Sequence, residues 1–253
     1  EGTLTVKNCL FYDNTCNYSS ANAHDGHIYV DDGTATIVNC TFTENGAGSP
    51  VYFYDGNNHV VKNCIFYNNT STNDIYEKYA DSPYPTVSYT YFESRSGSFN
   101  TGSEAGNVTS GNVNFTDAAN DDFSLQASSI CINAGTNSGV SSFDVNGNQR
   151  VVGGVVDIGC YEFQGFNVWT GNVSTAWNNA GNWSLGSVPT SSDLAYIPDV
   201  VNDPLVNIPS ATCARLVLDT GATLAVNNSS HKLTTSQIEL FNSSIAISAG
   251  EIE

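Results

Sequence analysis

Val6-Lys7-Asn8-Cys9-Leu10-Phe11-Tyr12-Asp13-Asn14 returns as Ile37-Val38-Asn39-Cys40-Thr41-Phe42-Thr43-Glu44-Asn45, and again as Val61-Lys62-Asn63-Cys64-Ile65-Phe66-Tyr67-Asn68-Asn69. A β-branched residue, Asn, Cys, Phe and a second Asn keep fixed offsets in all three copies. The cysteines at positions 9, 40 and 64 lie 31 and then 24 residues apart. A looser fourth copy, Val87-Ser88-Tyr89-Thr90-Tyr91-Phe92, carries Thr90 in the cysteine's place. Self-similarity at such a period marks a solenoid, because one copy cannot bury its apolar face alone and must stack on the next. Alternation with period two puts Leu4, Val6, Cys9 and Phe11 on the inner face, matched by Ile37, Cys40, Phe42 and by Val61, Cys64, Phe66. Lys7-Asn8 forms the corner between the two runs. Asn suits a corner because it tolerates the left-handed backbone region and its side chain bonds nearby backbone. Stacked corner asparagines can also bond along the coil axis. Gly33 and Gly56 mark the preceding turns.

These features predict an all-β chain whose residues 1–100 form the coils of a right-handed parallel β-helix. Cys9, Cys40 and Cys64 are expected as an internal column of reduced thiols, since Cys behaves as a small buried apolar residue. Phe11, Phe42 and Phe66 are expected as a second column beside it.

Composition narrows the function. Seven Lys+Arg face 25 Asp+Glu, a formal charge of −18, and the basic residues are scattered singly. Nucleic acid and anionic membranes both require clustered cations, so neither is an expected partner. Only 13% of residues are charged, and Asn, Thr, Ser and Gly are abundant. That balance suits an extracellular or cell-surface protein, and its oxygen-rich side chains suit Ca²⁺, the one cofactor considered. No signal peptide and no apolar stretch of membrane-spanning length is present, so direct membrane insertion is not expected. The sequence contains no Met, opens inside one repeat and ends inside another, which reads most simply as part of a longer polypeptide.

Two further regions follow the coils. Residues 101–163 are a linker and closing segment. Their first part, to about 122, is rich in Gly, Asn, Ser, Thr and Asp; a compact block follows. Residues 164–253 hold all three tryptophans and then short alternating runs such as Ala222-Thr223-Leu224-Ala225-Val226 and Ser244-Ile245-Ala246-Ile247. They predict a second β-rich module, with the shorter rungs of another solenoid.

The compact block reads Ser128-Ser129-Ile130-Cys131-Ile132-Asn133-Ala134-Gly135, then Asp144-Val145-Asn146-Gly147-Asn148-Gln149-Arg150, then Val156-Asp157-Ile158-Gly159-Cys160-Tyr161-Glu162. It resembles the segment that closes right-handed β-helix surface proteins of the choice-of-anchor type from Bacteroidetes-like bacteria, written SPAIDAG, D-x-DGNPR and VDIGAYE. The NCTF and NCIF repeats resemble the same proteins. The stretch with Trp169, Trp177 and Trp183 is similar to a module found beside them. The resemblance implies export, by type IX secretion, and a place on an extracellular stalk or adhesin; it carries over no catalytic residue. Cys131 and Cys160 replace two small residues of the resembled pattern together. The resemblance therefore implies that they meet, and an exported protein permits a disulfide between them.

Other clusters admit two readings each. His24-Asp25-Gly26-His27 with Asp31-Asp32 has the paired carboxylates of a glycoside hydrolase, one to protonate the leaving oxygen and one to activate water. The same residues read better as two turns. A β-elimination lyase is disfavoured because Lys7, Lys62, Lys78 and Arg95 lack an accompanying acidic cluster. Asp144-x-Asn146-x-Asn148 has the alternating oxygen spacing of a calcium loop, but its ligand set is incomplete. The competing reading is a turn closed by Asx hydrogen bonds, with Arg150 paired to a carboxylate such as Asp157. Trp169, Trp177 and Trp183 are either a glycan-contacting platform or, the favoured reading, the core of a small module. Tyr67, Tyr76, Tyr79, Tyr84, Tyr89 and Tyr91 concentrate near the third and fourth copies, several at outward positions suited to glycan contact. The composite expectation is a non-enzymatic stalk or adhesin segment whose partners are glycans or other surface proteins. The alternatives are a carbohydrate-binding region of a polysaccharide-degrading enzyme and, more weakly, a β-helix lyase or hydrolase.

Overall fold

The computed structural model describes residues 2–16, 26–71, 73–78, 85–93 and 105–253. The chain forms two compact units, Glu1–Val151 with Val155–Glu162 and Val152–Gly154 with Phe163–Glu253.

In the first unit each coil contributes short strands to three walls. The first coil supplies β1 (Thr3–Lys7), β2 (Leu10–Tyr12) and β3 (Gly26–Val30). The second supplies β4 (Thr34–Val38), β5 (Thr41–Thr43) and β6 (Ser49–Phe53), and the third β7 (Val60–Lys62), β8 (Ile65–Tyr67) and β9 (Ile75–Glu77). The fourth supplies β10 (Thr86–Ser88) and β11 (Tyr91–Phe92). Equivalent strands pair to give the sheets β1-β4-β7-β10, β2-β5-β8-β11 and β3-β6-β9, every pair parallel. The unit is a parallel β-helix.

Register sets the interior. Phe11, Phe42, Phe66 and Phe92 lie opposite one another on successive strands. Their rings stack at centroid separations of 4.7, 4.9 and 5.3 Å and within 7° of parallel. That is close to the spacing of hydrogen-bonded strands, so each ring inherits its position from the backbone repeat. Ile37, Val61 and Val87 face them from the first wall, and Ile28, Val30, Val51, Phe53 and Ile75 close the third.

The cysteines sit at the first corner, pointing in. Each thiol donates to the carbonyl two residues earlier: Cys9 to Lys7 (3.2 Å), Cys40 to Val38 (3.4 Å) and Cys64 to Lys62 (3.2 Å). Thr90 makes the same bond to Ser88 through its hydroxyl (3.0 Å), which explains how threonine serves in the fourth copy. Hydrogen bonding to Cys64 and burial hold the Cys40 thiol well above its ordinary pKa, which disfavours its thiolate.

Left-handed residues turn the corners among the described residues. Asn8, Asn39 and Asn63 turn the first at φ 51–53°, and Asp13, Glu44 and Asn68 the second at φ 51–55°. Gly33 and Gly56 turn the third. A Cβ on Gly56 would lie 2.4 Å from the Gly33 carbonyl oxygen, so backbone crowding as well as φ demands glycine there. A ladder runs along the second corner: Asn14 Nδ2 donates to Asn45 Oδ1, and Asn45 Nδ2 to Asn69 Oδ1, each at 2.9 Å. The first Asn row also bonds lengthwise, more weakly, with Asn63 Nδ2 donating to Asn39 Oδ1 at 3.5 Å.

Beyond the coils, β12 (Phe115–Asp117) and β13 (Asp122–Leu125) form an antiparallel hairpin. The second unit contains β14 (Phe166–Val168), β15 (Leu194–Ile197), β16 (Leu205–Val206), β17 (Ala211–Leu218), β18 (Thr223–Leu240) and β19 (Ser244–Ile252). These strands also pair in parallel. β18 spans two walls: its first half lies between β16 and β19, and its second half pairs β17. This unit is a second solenoid, with a core of Ile197, Val206, Leu216, Leu218, Leu224, Val226 and Leu233.

The cysteine geometry makes a specific prediction. Cys64→Thr should shift the melting temperature by only a few degrees, because the hydroxyl reproduces the Thr90 bond. Cys64→Asp should prevent cooperative folding by burying an unpaired carboxylate. Thermal unfolding followed by circular dichroism reads both.

Candidate functional site

The first-corner asparagines turn outward and meet residues 129–151 and 155–162, which run back along the coils as a strap. Asn63 Nδ2 donates to the Thr136 carbonyl and its Oδ1 accepts from Thr136 N, both at 2.9 Å. Asn39 Nδ2 reaches the carbonyls of Asp157 and Gly159 at 3.3 and 3.4 Å. Asn8 Nδ2 donates to the Phe143 carbonyl at 2.8 Å. Lys7 and Lys62 donate to the carbonyls of Gly139 and Ser138. Cys160 N donates to Thr41 Oγ1 at 3.0 Å, and Gly159 N to the Asn63 carbonyl at 2.9 Å. Gly159 has φ +105°, and a Cβ there would lie 2.5 Å from Ile65, so only glycine lets the strap lie this close.

Arg150 anchors the strap from inside. Its side chain is fully buried, and Nη2 donates to Asn8 Oδ1 and to the Gly159 carbonyl, both at 2.8 Å. Nη1 lies 4.0 Å from Glu162 Oε2. The carboxylate beside Arg150 is thus Glu162. Asp157 Oδ1 instead accepts from Asn133 N at 2.7 Å. Burial lowers the Arg150 pKa, and the Glu162 carboxylate opposes that shift.

The calcium reading gives way to the turn. Asp144 is buried while Asn146 and Asn148 are exposed. The Asp144 carboxylate accepts from Asn146 N and Asn148 N at 2.9 Å each, from Glu162 N at 3.1 Å and from Asn148 Nδ2 at 3.3 Å. Four N–H donors occupy the oxygens a cation would need, which makes this an Asx-closed turn.

The expected Cys131–Cys160 disulfide is also corrected: both are free, fully buried thiols. Ile158 N donates to the Cys131 carbonyl, so the register places Ile158, not Cys160, beside Cys131. Burial pushes the Cys160 thiol up to about 12 and the Cys131 thiol higher still.

Trp169, Trp177 and Trp183 pack edge to face, with Trp183 centred 5.0 Å from Trp169 and 4.7 Å from Trp177. All three are buried. Trp169 Nε1 donates to the Asn202 carbonyl at 2.7 Å and Trp183 Nε1 to the Trp177 carbonyl at 2.9 Å. They are core, and their faces are closed to a sugar ring.

Of the apparent catalytic cluster, His24 and Asp25 lie outside the described residues. His27 is half-buried, and burial lowers its pKa. Asp32 accepts from Gly33 N at 2.6 Å as a turn residue, a role Asp55 repeats with Gly56 N at 2.7 Å. Asp31 accepts from the Tyr29 hydroxyl at 3.3 Å. A cavity of about 440 Å³ brings Asp31 and Asp32 together with Tyr29, Thr34 and Leu4, and no cationic side chain is among its lining. Among the described residues no three His, Cys, Asp or Glu side chains gather as a metal site. No described helix is long and apolar enough to cross a membrane.

The tyrosines divide. Tyr91 is buried and donates to the Gly111 carbonyl at 2.9 Å, Tyr89 turns a corner at φ 49°, and Tyr67 packs edge-on to Phe115. Tyr79 and Tyr84 lie outside the described residues. Tyr76 instead joins a column on the outer side of the third wall, 4.9 Å from Tyr52, which is 5.5 Å from Tyr29. Sequence reasoning missed this column because the third-wall strands lack the Asn-Cys signature. It also missed His59, buried against Phe53, whose Nδ1 accepts from Ala35 N at 3.1 Å.

A family model described as a domain of unknown function (DUF8693) matches residues 168–247, within the second unit and less than half of the chain. No curated protein and no solved structure matches.

Asp74 receives the end of the asparagine ladder, accepting from Asn69 Nδ2 at 3.3 Å. Burial pushes its carboxyl up to about 7, and Glu93 adds to the rise. A raised carboxyl holds its proton more tightly in the folded state than in the unfolded. Its favourable contribution is complete below the ordinary carboxylate range and disappears as pH rises through about 7. Asp74→Asn should therefore match the wild type in melting temperature near pH 4 and exceed it increasingly toward pH 8. Parallel pH series of thermal melts provide the check.

Proposed function

We propose that this chain is a non-catalytic segment of an extracellular cell-surface protein, serving as a stalk or adhesin. The observation that carries the reading is the use to which its polar side chains are put. Asp32, Asp55, Asp144, Arg150 and the three corner asparagines all hold backbone or strap groups, where a catalytic site would leave them facing a substrate. Two consecutive parallel solenoids support it, since stacked coils give a scaffold whose length grows with repeat number. So does the charge of −18, which favours solubility and disfavours polyanionic partners. Export fits this role, and glycans or other surface proteins are the partners such a segment would meet.

A second reading, a carbohydrate-binding region, is favoured by the Tyr29–Tyr52–Tyr76 column on the third wall. Its half-buried end members, Tyr29 and Tyr76, suit apolar contact with a sugar ring, while Tyr52 between them is buried.

The two readings and the enzyme alternative separate in one experiment. The chain, incubated with a panel of neutral and acidic polysaccharides with and without Ca²⁺, should release no products. Turnover abolished by His27→Ala, Asp31→Asn or Asp32→Asn would overturn the non-catalytic reading. Retention on a polysaccharide without turnover, lost in Tyr29→Ala and Tyr76→Ala, would select the carbohydrate-binding one.

A further inference from the structure

We propose that the strap is a mechanical clamp, which lets the first unit bear tension without unwinding coil by coil. Its biological use rests on the stalk reading above; the geometry of the clamp does not.

A solenoid pulled from its two ends of chain has an inherent weakness. Each coil contacts only its neighbours, so a terminal coil can peel away and expose the next. This chain does not leave the unit from the fourth coil. It returns along the first-corner asparagines and is fixed to the first coil before it exits. Thr136 and Ser138 contact the third coil through Asn63 and Lys62. Gly139 and Phe143 contact the first through Lys7 and Asn8. Arg150 then joins Asn8 to the Gly159 carbonyl, with Glu162 beside it, and Cys160 is held by Thr41 of the second coil.

One path for tension between residue 2 and residue 162 therefore enters at β1 and passes through the Asn8 corner, beside the contacts of Asn39, Thr41 and Asn63 with residues 157–160. It crosses Arg150 and leaves at Gly159–Glu162. The fourth coil and the β12–β13 hairpin lie in the chain between those points but outside that path. A charge-assisted bond is shorter and stronger than a neutral one; the Arg150 side chain and its bond to the Gly159 carbonyl are buried, and its bond to the half-buried Asn8 is partly so. The exposed Lys7 contact adds little by comparison.

Single-molecule force spectroscopy on the full chain tests this, with handles at Gly2 and Gln164 and, in a second arrangement, at Gly2 and Lys78. The second pair loads the parallel ladders between coils directly, with the strap alongside. Arg150→Met and Asn8→Gly are the variants. The second deletes the bonding side chain while keeping a residue at home at positive φ, so folding is preserved if the larger substitution is not tolerated. Both should lower the rupture force at least twofold in the first arrangement and change it little in the second. An unchanged force in the first arrangement would overturn the clamp, as would an equal fall in both, which marks a merely structural role. Either result leaves the stalk reading standing. Conversely, polysaccharide turnover would remove the stalk reading without altering the force difference.

Discussion

The structure depends on one constraint: a chain that turns three corners per coil must leave no backbone group unpaired at any of them. A corner breaks the ladder of hydrogen bonds, and an unpaired buried group costs roughly as much as one or two ordinary hydrogen bonds contribute. Each corner of the first unit meets this differently. The third uses glycine stacked on glycine: Asn57 N donates to the Gly33 carbonyl at 3.0 Å, and a Cβ on Gly56 would crowd that oxygen at 2.4 Å. The second uses a ladder of side-chain amides, Asn14 to Asn45 to Asn69, ending on Asp74. The first uses thiols and a hydroxyl on the inside and asparagine amides on the outside. Those outer amides need partners beyond the coils, and the strap provides them.

The strap is consequently part of the fold of the coils. Many of its own polar groups are met in turn: the Asp144 carboxylate by four N–H donors, Asp157 by Asn133 N, Glu162 by Asp157 N and Arg150 Nη2 by Asn8 and Gly159, while Arg150 Nε and Nη1 and the Asn133 amide make no hydrogen bond. A buried cation among three buried carboxylates is an expensive arrangement, and such networks do not in general raise stability over apolar packing. What it supplies is a fixed position, since the guanidinium fork accepts only one placement of the strap against the first coil.

Much of the coil interior was legible in the amino-acid sequence. Cys9, Cys40, Cys64 and the phenylalanines repeat because the backbone repeats, and one residue of slip would turn every one of them outward. The third wall was illegible by the same logic: Ile28, Val51 and Ile75 carry no Asn or Cys beside them, and the spacing between copies changes from 31 to 24 residues. Which asparagine row would form the tighter lengthwise ladder could not be read, because both rows have the same residue type and the first also bonds the strap. Chemistry was read least well. Asp144-x-Asn146-x-Asn148 has ligand spacing, yet a strand of backbone N–H groups competes for the same oxygens. Cys131 and Cys160 fit a pattern of paired replacement, yet a two-residue offset in register separates them. The tryptophans needed burial to reveal their role, since their spacing suits a core and a platform equally.

The central claim is that strap and coils form one cooperative structure joined at the asparagine corners. Native-state hydrogen exchange tests it most directly. The amide hydrogens of Thr136, Gly159 and Cys160, bonded to Asn63 and Thr41, are compared with those of Thr41 and Ile65 within the coils. The account predicts that both sets exchange through the same global opening, with equal free energies and equal dependence on denaturant. Strap amides that exchange freely while the coil amides stay protected would contradict it.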